Sequence, residues 1–113
     1  MASENQPENE RRRDPRRRAK SNLQVCCRKG TTGLASNIAQ AVLDISASGL
    51  RLRLAERLDT SQDIELELQT PEMSRPFKIV ADVVWCIAED NGTFIVGVEL
   101  RRSLTFTELR DLI

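Results

Sequence analysis

The sequence predicts an all-β domain of short antiparallel strands, with one short helix at its C-terminus and a basic arm at its N-terminus. Three observations carry this. From Ser21 onward apolar residues recur at every second position in several separate runs, the period of strands that bury one face. Turn-forming stretches, "KGTTG", "SASG", "TPEMSRP" and "EDNG", separate the runs. The tail "SLTFTELRDLI" abandons period two for a spacing in which Leu104, Leu109, Leu112 and Ile113 share a helical face.

Each run has its own pattern. "LQVC" alternates Leu23 and Val25 with polar Gln24, and "AVLDIS" is a strand-like run ending at Ser46. "GLRLRL" sets Leu50, Leu52 and Leu54 on one face and Arg51 and Arg53 on the other. "DIELEL" does the same with Ile64, Leu66 and Leu68 against Glu65 and Glu67. In "FKIVADVVW" the alternation gives one face to Phe77, Ile79, Ala81, Val83 and Trp85, so Trp85 is read as core, with stacking against a ligand base as the minority reading. In "TFIVGVEL" Phe94, Val96, Val98 and Leu100 point inward, and Gly97 marks a bulge or a close approach. "EDNG" between two strong strands predicts a hairpin with a primed Asn-Gly turn. Thr105 followed three residues later by Glu108 reads as a capping box opening the helix.

With 113 residues, 40% of them hydrophobic and 30% charged, the chain suits one globular domain. We divide it into an arm, residues 1–20, and a barrel domain with its helix, residues 21–113. The arm lacks large apolar side chains apart from Met1, so cutting it away should leave the core intact. No apolar run approaches the ~18 residues of a membrane span. "MASENQPENERRR" has no apolar segment of a secretory signal, and a cytoplasmic location is expected. Three cysteines, Cys26, Cys27 and Cys86, read as small apolar fillers in a reducing compartment. With no histidine and no CxxC, no metal site is expected. No catalytic set and no glycine-rich phosphate loop emerges, so the chain is not read as an enzyme.

The charge is unevenly distributed. Residues 1–20 hold seven Lys/Arg and four Asp/Glu, while residues 21–113 hold ten and thirteen. A basic arm on a mildly acidic body does not suit long nucleic acid, which wants a broad basic face. It suits a short anion held between arm and body. Two spacings give that idea residues: RxxxR at Arg12 and Arg16, with Arg13 and Arg17 also fitting, and DxSxxG at Asp44, Ser46 and Gly49. Arginine can fork onto guanine O6 and N7, stack on a base and pair with phosphate. A carboxylate at Asp44 can accept from guanine N–H donors. Ser46 lies two residues on, and Gly49 stands where positive φ or close approach favours glycine. Turn chemistry at Asp44 and Ser46 is compatible with both roles. Arg51 and Arg53 read as a solvated strand face that could also line a groove.

With the two motifs in this order before strand-rich sequence, the chain resembles the PilZ family of bacterial cyclic di-GMP receptors. The resemblance spans roughly residues 11–113. "RRDPR", "DISASGLRL", and "VVW" followed by "VGVEL" add to it. It implies a six-stranded antiparallel barrel with a C-terminal helix, and cyclic di-GMP as ligand rather than any cofactor. It implies that Arg12, Arg16, Asp44, Ser46 and Gly49 bind that ligand, with Arg11 and Arg13 as further candidates. Arg11 before the motif leans toward two ligand molecules per chain. "RRAKSN" makes the link from motif to first strand longer and more polar than is usual in the family. The expected mechanism is a ligand-induced ordering of the arm that changes the surface offered to a downstream protein partner. The alternatives are a PilZ-like adaptor that binds no ligand, and a nucleic-acid-binding barrel.

Overall fold

Alternation becomes a barrel because every run turns its apolar side toward one shared core. The structure, a computed structural model, describes residues 14–113. Six strands form: β1 Gln24–Lys29, β2 Ala39–Ile45, β3 Gly49–Leu54, β4 Asp63–Gln69, β5 Phe77–Ala88 and β6 Phe94–Leu100. Helix α1, Phe106–Leu112, follows. The strands pair antiparallel in the order β1-β4-β5-β6-β3-β2. The two edges then approach each other. The Ile38 amide donates to the Cys27 carbonyl at 2.9 Å, and the Cys27 amide donates to Asn37 Oδ1 at 2.8 Å. The barrel is thus nearly closed, and these two bonds join its edges across the seam, which blunts them as templates for aggregation.

The core holds the faces that alternation assigned to it. Leu50, Leu52, Leu54, Ile64, Leu66, Leu68 and Val96 are fully buried, and Leu104 and Leu112 join the same cluster from the C-terminal segment. Each such side chain contributes about 1.5–3 kcal/mol by leaving water. Cys27 faces this core while Cys26 does not, and burial, helped by the neighbouring Cys26, pushes the Cys27 thiol up to about 12. That thiol stays protonated and inert at neutral pH. The capping box forms as expected: Glu108 N donates to Thr105 Oγ1 at 3.1 Å, and Thr105 N donates to Glu108 Oε1 at 2.9 Å.

Two local expectations are corrected. The β5–β6 hairpin does not use a primed turn. Gly92 N donates to Glu89 O at 3.3 Å and Glu89 N donates to Thr93 O at 2.8 Å, with Gly92 at φ 87° and Asn91 outside the positive-φ region. This is an ordinary turn closed by a glycine bulge, which puts the left-handed residue one place later. The second correction concerns Trp85. A bulge between Val83 and Trp85 shifts the β5 register, so that Val83 opposes core residue Val98 while Trp85 opposes Gly97. One extra residue moves Trp85 from the core to the outer face. Cys86 takes the inward place beyond the bulge and packs against the core.

The segment before β1 lies along the barrel. Arg17 and Ile45 exchange two backbone hydrogen bonds at 2.8 and 2.9 Å, and Lys20 N donates to Leu112 O at 2.9 Å. Residues 14–20 therefore run from the end of β2 to the end of α1. Arg11, Arg12 and Arg13 lie outside the described residues. Among the described residues no helix is long and apolar enough to cross a membrane.

Candidate functional site

A second bulge prepares the site. In β2 the register slips between Val42 and Asp44, so Asp44 opposes Arg51 on β3 instead of an inward leucine. The slip aims the carboxylate outward, where Asp44 Oδ2 accepts from Arg51 Nε at 2.7 Å and Nη2 at 2.6 Å. Its other oxygen, Oδ1, accepts from Arg16 Nη1 at 3.0 Å. Arg16 reaches it because the next residue, Arg17, is fixed to Ile45 by its two backbone bonds. Two motifs that are 28 positions apart in sequence thus meet in one ion triad.

The triad is asymmetric in exposure. The Asp44 side chain is 13% exposed, while those of Arg16 and Arg51 are 44% and 41% exposed. The carboxylate is withdrawn and both guanidinium groups still face solvent. One negative charge holds two positive ones together, and the triad keeps a net positive charge toward water. Each guanidinium has donors left over for a second partner.

Ser46 and Gly49 close the β2–β3 turn on each other. Ser46 N donates to Gly49 O at 2.8 Å, and Ser46 Oγ lies 3.2 Å from both Gly49 O and Gly49 N. The hydroxyl is thereby spent on its own turn, and Ser46 is buried. Gly49 has no positive φ. Its reason is close approach: a Cβ there would lie 2.5 Å from the Val98 carbonyl oxygen of β6. Glycine is required for β3 to lie against β6 at this point.

Beside the triad a cleft of about 210 Å³ opens on the outer face of the barrel. Trp85 and Gly97 line it, together with the Ser46–Gly49 turn, Arg16 and Glu99. Trp85 and Gly97 are cross-strand partners, and the indole covers Gly97 so closely that a Cβ there would overlap its ring atoms Cε2 and Nε1. Glycine at 97 is what lets the indole lie flat on β6. Arg53, the other cation of β3, is engaged elsewhere: it binds Glu89 through Nε at 2.9 Å and Nη2 at 3.3 Å. The Arg53 hydrogen bond, with help from Thr93, holds the Glu89 carboxyl below its usual range.

Of the residues singled out in the sequence, Arg16, Asp44, Ser46 and Gly49 come together here, while Arg11, Arg12 and Arg13 fall outside the described residues. Sequence reasoning did not find the Asp44–Arg51 pair or Glu99 on the rim of the cleft, and it held Trp85 beside a ligand base only as the minority reading. One signal was present, the glycine at 97 in the middle of an otherwise bulky strand.

The chain was compared with known proteins. A family model described as the PilZ domain matches residues 10–113. No curated protein matches the chain. Among solved structures, the fold is similar to that of K. pneumonia MrkH in its complex with c-di-GMP, at TM-score 0.54 and 20% sequence identity. The match covers 88% of this chain and 46% of MrkH, so the chain spans about half that protein's length. Motifs, barrel and a family match over nearly the whole chain agree: the protein belongs to the PilZ domain family.

Proposed function

We propose that this protein is a cyclic di-GMP receptor, not an enzyme, and that it binds its ligand on the outer face of the barrel between the Arg16–Asp44–Arg51 triad and the Trp85 cleft. The observation that carries the reading is the contact of RxxxR with DxSxxG through Arg16 and Asp44. A cyclic dinucleotide offers two phosphates and two guanines. Half-exposed arginines can pair with either, and a flat indole next to them offers stacking area. The family, and the neighbour solved with c-di-GMP, support the reading.

In this proposal Arg16 is a direct ligand contact and Arg12 its partner from the same motif, with Arg11 and Arg13 as further contacts. Asp44 holds the arginines, and Ser46 and Gly49 shape the turn beneath them. Residues 14–20 already lie along the barrel; ligand binding completes the ordering of the arm, and the altered surface is read by a downstream protein in the cytoplasm. The cost of ordering lowers net affinity and keeps the switch reversible.

Isothermal titration calorimetry with cyclic di-GMP tests this. The wild-type chain should bind, and Arg16→Ala should weaken binding by tenfold or more, the loss of about 1.5–3 kcal/mol from one charge-assisted contact. Its ligand-free melting temperature should change little, because an exposed ion pair contributes about 0–1 kcal/mol. No heat with the wild type would favour the ligand-free adaptor. Binding to single-stranded RNA with a steep salt dependence would favour the nucleic-acid barrel.

A further inference from the structure

The proposed ligand has to be told from other cyclic dinucleotides; arginines can read guanine at O6 and N7, but reading its Watson–Crick edge as well takes a hydrogen-bond acceptor. Guanine differs from adenine at its Watson–Crick edge, where N1–H and the N2 amine donate. Arginines cannot accept from these groups. Asp44 was the acceptor that the sequence pointed to, but both its oxygens are taken by Arg16 and Arg51, and its side chain is largely withdrawn. The Ser46 hydroxyl is closed on Gly49. The acceptor must come from somewhere else on the cleft.

Glu99 fits. It lies on β6 two residues beyond Gly97, and side chains two apart on a strand share a face about 7 Å apart. Gly97 is the residue that the Trp85 indole covers. Glu99 therefore stands at the edge of the platform made by Trp85 and Gly97, on the same outer face, and is one of the residues that line the cleft. Its cross-strand neighbours leave it available. Gly49 on one side has no side chain, and Asp82 on the other is bound by Arg101 through Nε at 3.0 Å and Nη2 at 2.8 Å. Glu99 is exposed, and no hydrogen bond or ion pair engages its carboxylate among the described residues.

We propose that Glu99 is a specificity-determining residue of this site: a guanine lying over Trp85 donates N1–H and N2–H to its two carboxylate oxygens. This rests on the cyclic di-GMP reading and assigns base discrimination to a residue outside both motifs. The arginines attract any cyclic dinucleotide through its phosphates. Glu99 adds selection at the Watson–Crick edge, because adenine presents an acceptor, N1, where guanine presents a donor. Two acceptors facing each other repel, and the carboxylate then loses water without gaining a partner.

The test is a titration of the full chain and its Glu99→Gln and Glu99→Ala variants with cyclic di-GMP, cyclic di-IMP and cyclic di-AMP. Cyclic di-IMP keeps the phosphates and N1–H but lacks the N2 amine. The wild type should prefer cyclic di-GMP over cyclic di-IMP and more strongly over cyclic di-AMP. In both variants the preference for cyclic di-GMP over cyclic di-AMP should shrink by about tenfold or more, the scale of one bidentate base contact. Residual cyclic di-AMP binding should hold or rise as a negative charge is lost. Variants that keep the wild-type preference overturn the Glu99 assignment while leaving the receptor reading intact. A wild type that binds none of the three overturns the receptor reading itself. Equal wild-type affinity for all three ligands also overturns the assignment, since there is then no selection for Glu99 to make.

Discussion

Gly97→Ala isolates the contact that makes the cleft. The added methyl would overlap Cε2 and Nε1 of the Trp85 indole and lie 2.7 Å from its Cζ2, whereas ordinary contacts to a Cβ begin near 3.4 Å. The ring has to retreat by roughly 1 Å, against the van der Waals well that now holds it on the strand. Gly97 is an interior strand residue without positive φ, so alanine itself suits the backbone and offsets part of the strain. Overpacking of this kind costs about 1–3 kcal/mol. For a domain of about 100 residues that lowers the melting temperature by about 5–15 °C. Trp85 is the sole tryptophan and the chain has no tyrosine, so emission reports this ring alone. The ring lifted from Gly97 should meet more water, and its emission should move to longer wavelength. Thermal melts and fluorescence spectra of both proteins measure the two effects. A variant that matches the wild type in melting temperature and emission maximum would show that the indole does not lie on Gly97, and the cleft described here would lose its platform.

Two more predictions concern stability. The Arg102 hydrogen bond, supported by the Thr105 backbone amide, lowers the Glu108 carboxyl from its usual 4.5 to about 2; the stabilisation is therefore complete above about pH 4.5, is lost as pH falls toward 2, and Glu108→Gln should flatten that part of a plot of melting temperature against pH. Deleting residues 1–20 removes the two Arg17–Ile45 bonds and the Lys20–Leu112 bond, about 1.5–4.5 kcal/mol at ~0.5–1.5 kcal/mol each, so the truncated barrel should fold but melt measurably earlier than the full chain; an unchanged melting curve would mean these bonds contribute nothing.

The truncation also shows where the sequence was legible and where it was not. Met1 is the arm's only large apolar side chain, so a reading based on burial alone expected no cost from its loss. The docking is done by backbone groups, which every residue carries and no sequence pattern marks. The same holds for the seam, closed by backbone groups of Cys27 and Ile38 and the Asn37 side chain. The strands themselves were legible because burial of one face imposes period two, and Leu50, Leu52 and Leu54 landed where that period put them. The helix start was legible because Thr105 and Glu108 satisfy each other's amides by local chemistry. Bulges were not. In "VVWC" every residue is apolar, so an inserted residue leaves no break in the pattern, and Trp85 changes face silently. The β2 bulge lies at "VLD", where the adjacent apolar residues Val42 and Leu43 give no period-two signal to fix the face of Asp44, and the pairing of Asp44 to Arg51 is hidden with it. The Val83–Trp85 bulge lies at the cleft and the Val42–Asp44 bulge at the triad beside it, where a regular strand would have turned these side chains the other way.

The pairing of Asp44 reverses what its removal should do. If its carboxylate read guanine, Asp44→Ala would cost selectivity. In the structure it accepts from two arginines instead, at 3.0 Å from Arg16 and 2.7 Å from Arg51. Without it, two guanidinium groups of like charge would share one place with no anion between them, and each long side chain would regain its rotamer freedom. Any ligand phosphate would then have to collect both arginines itself. Asp44→Ala should therefore weaken cyclic di-GMP and cyclic di-AMP by similar factors, with their ratio kept. Because Asp44 is largely buried, the variant should also melt a few degrees earlier, and titrations belong well below that temperature. Arg51→Ala is the companion measurement. It leaves the Asp44–Arg16 pair standing, so it should weaken both ligands less than Asp44→Ala and again leave their ratio unchanged. A selectivity ratio that collapses in Asp44→Ala would return the base-reading role to Asp44, and the triad would then be a resting arrangement that the ligand dismantles.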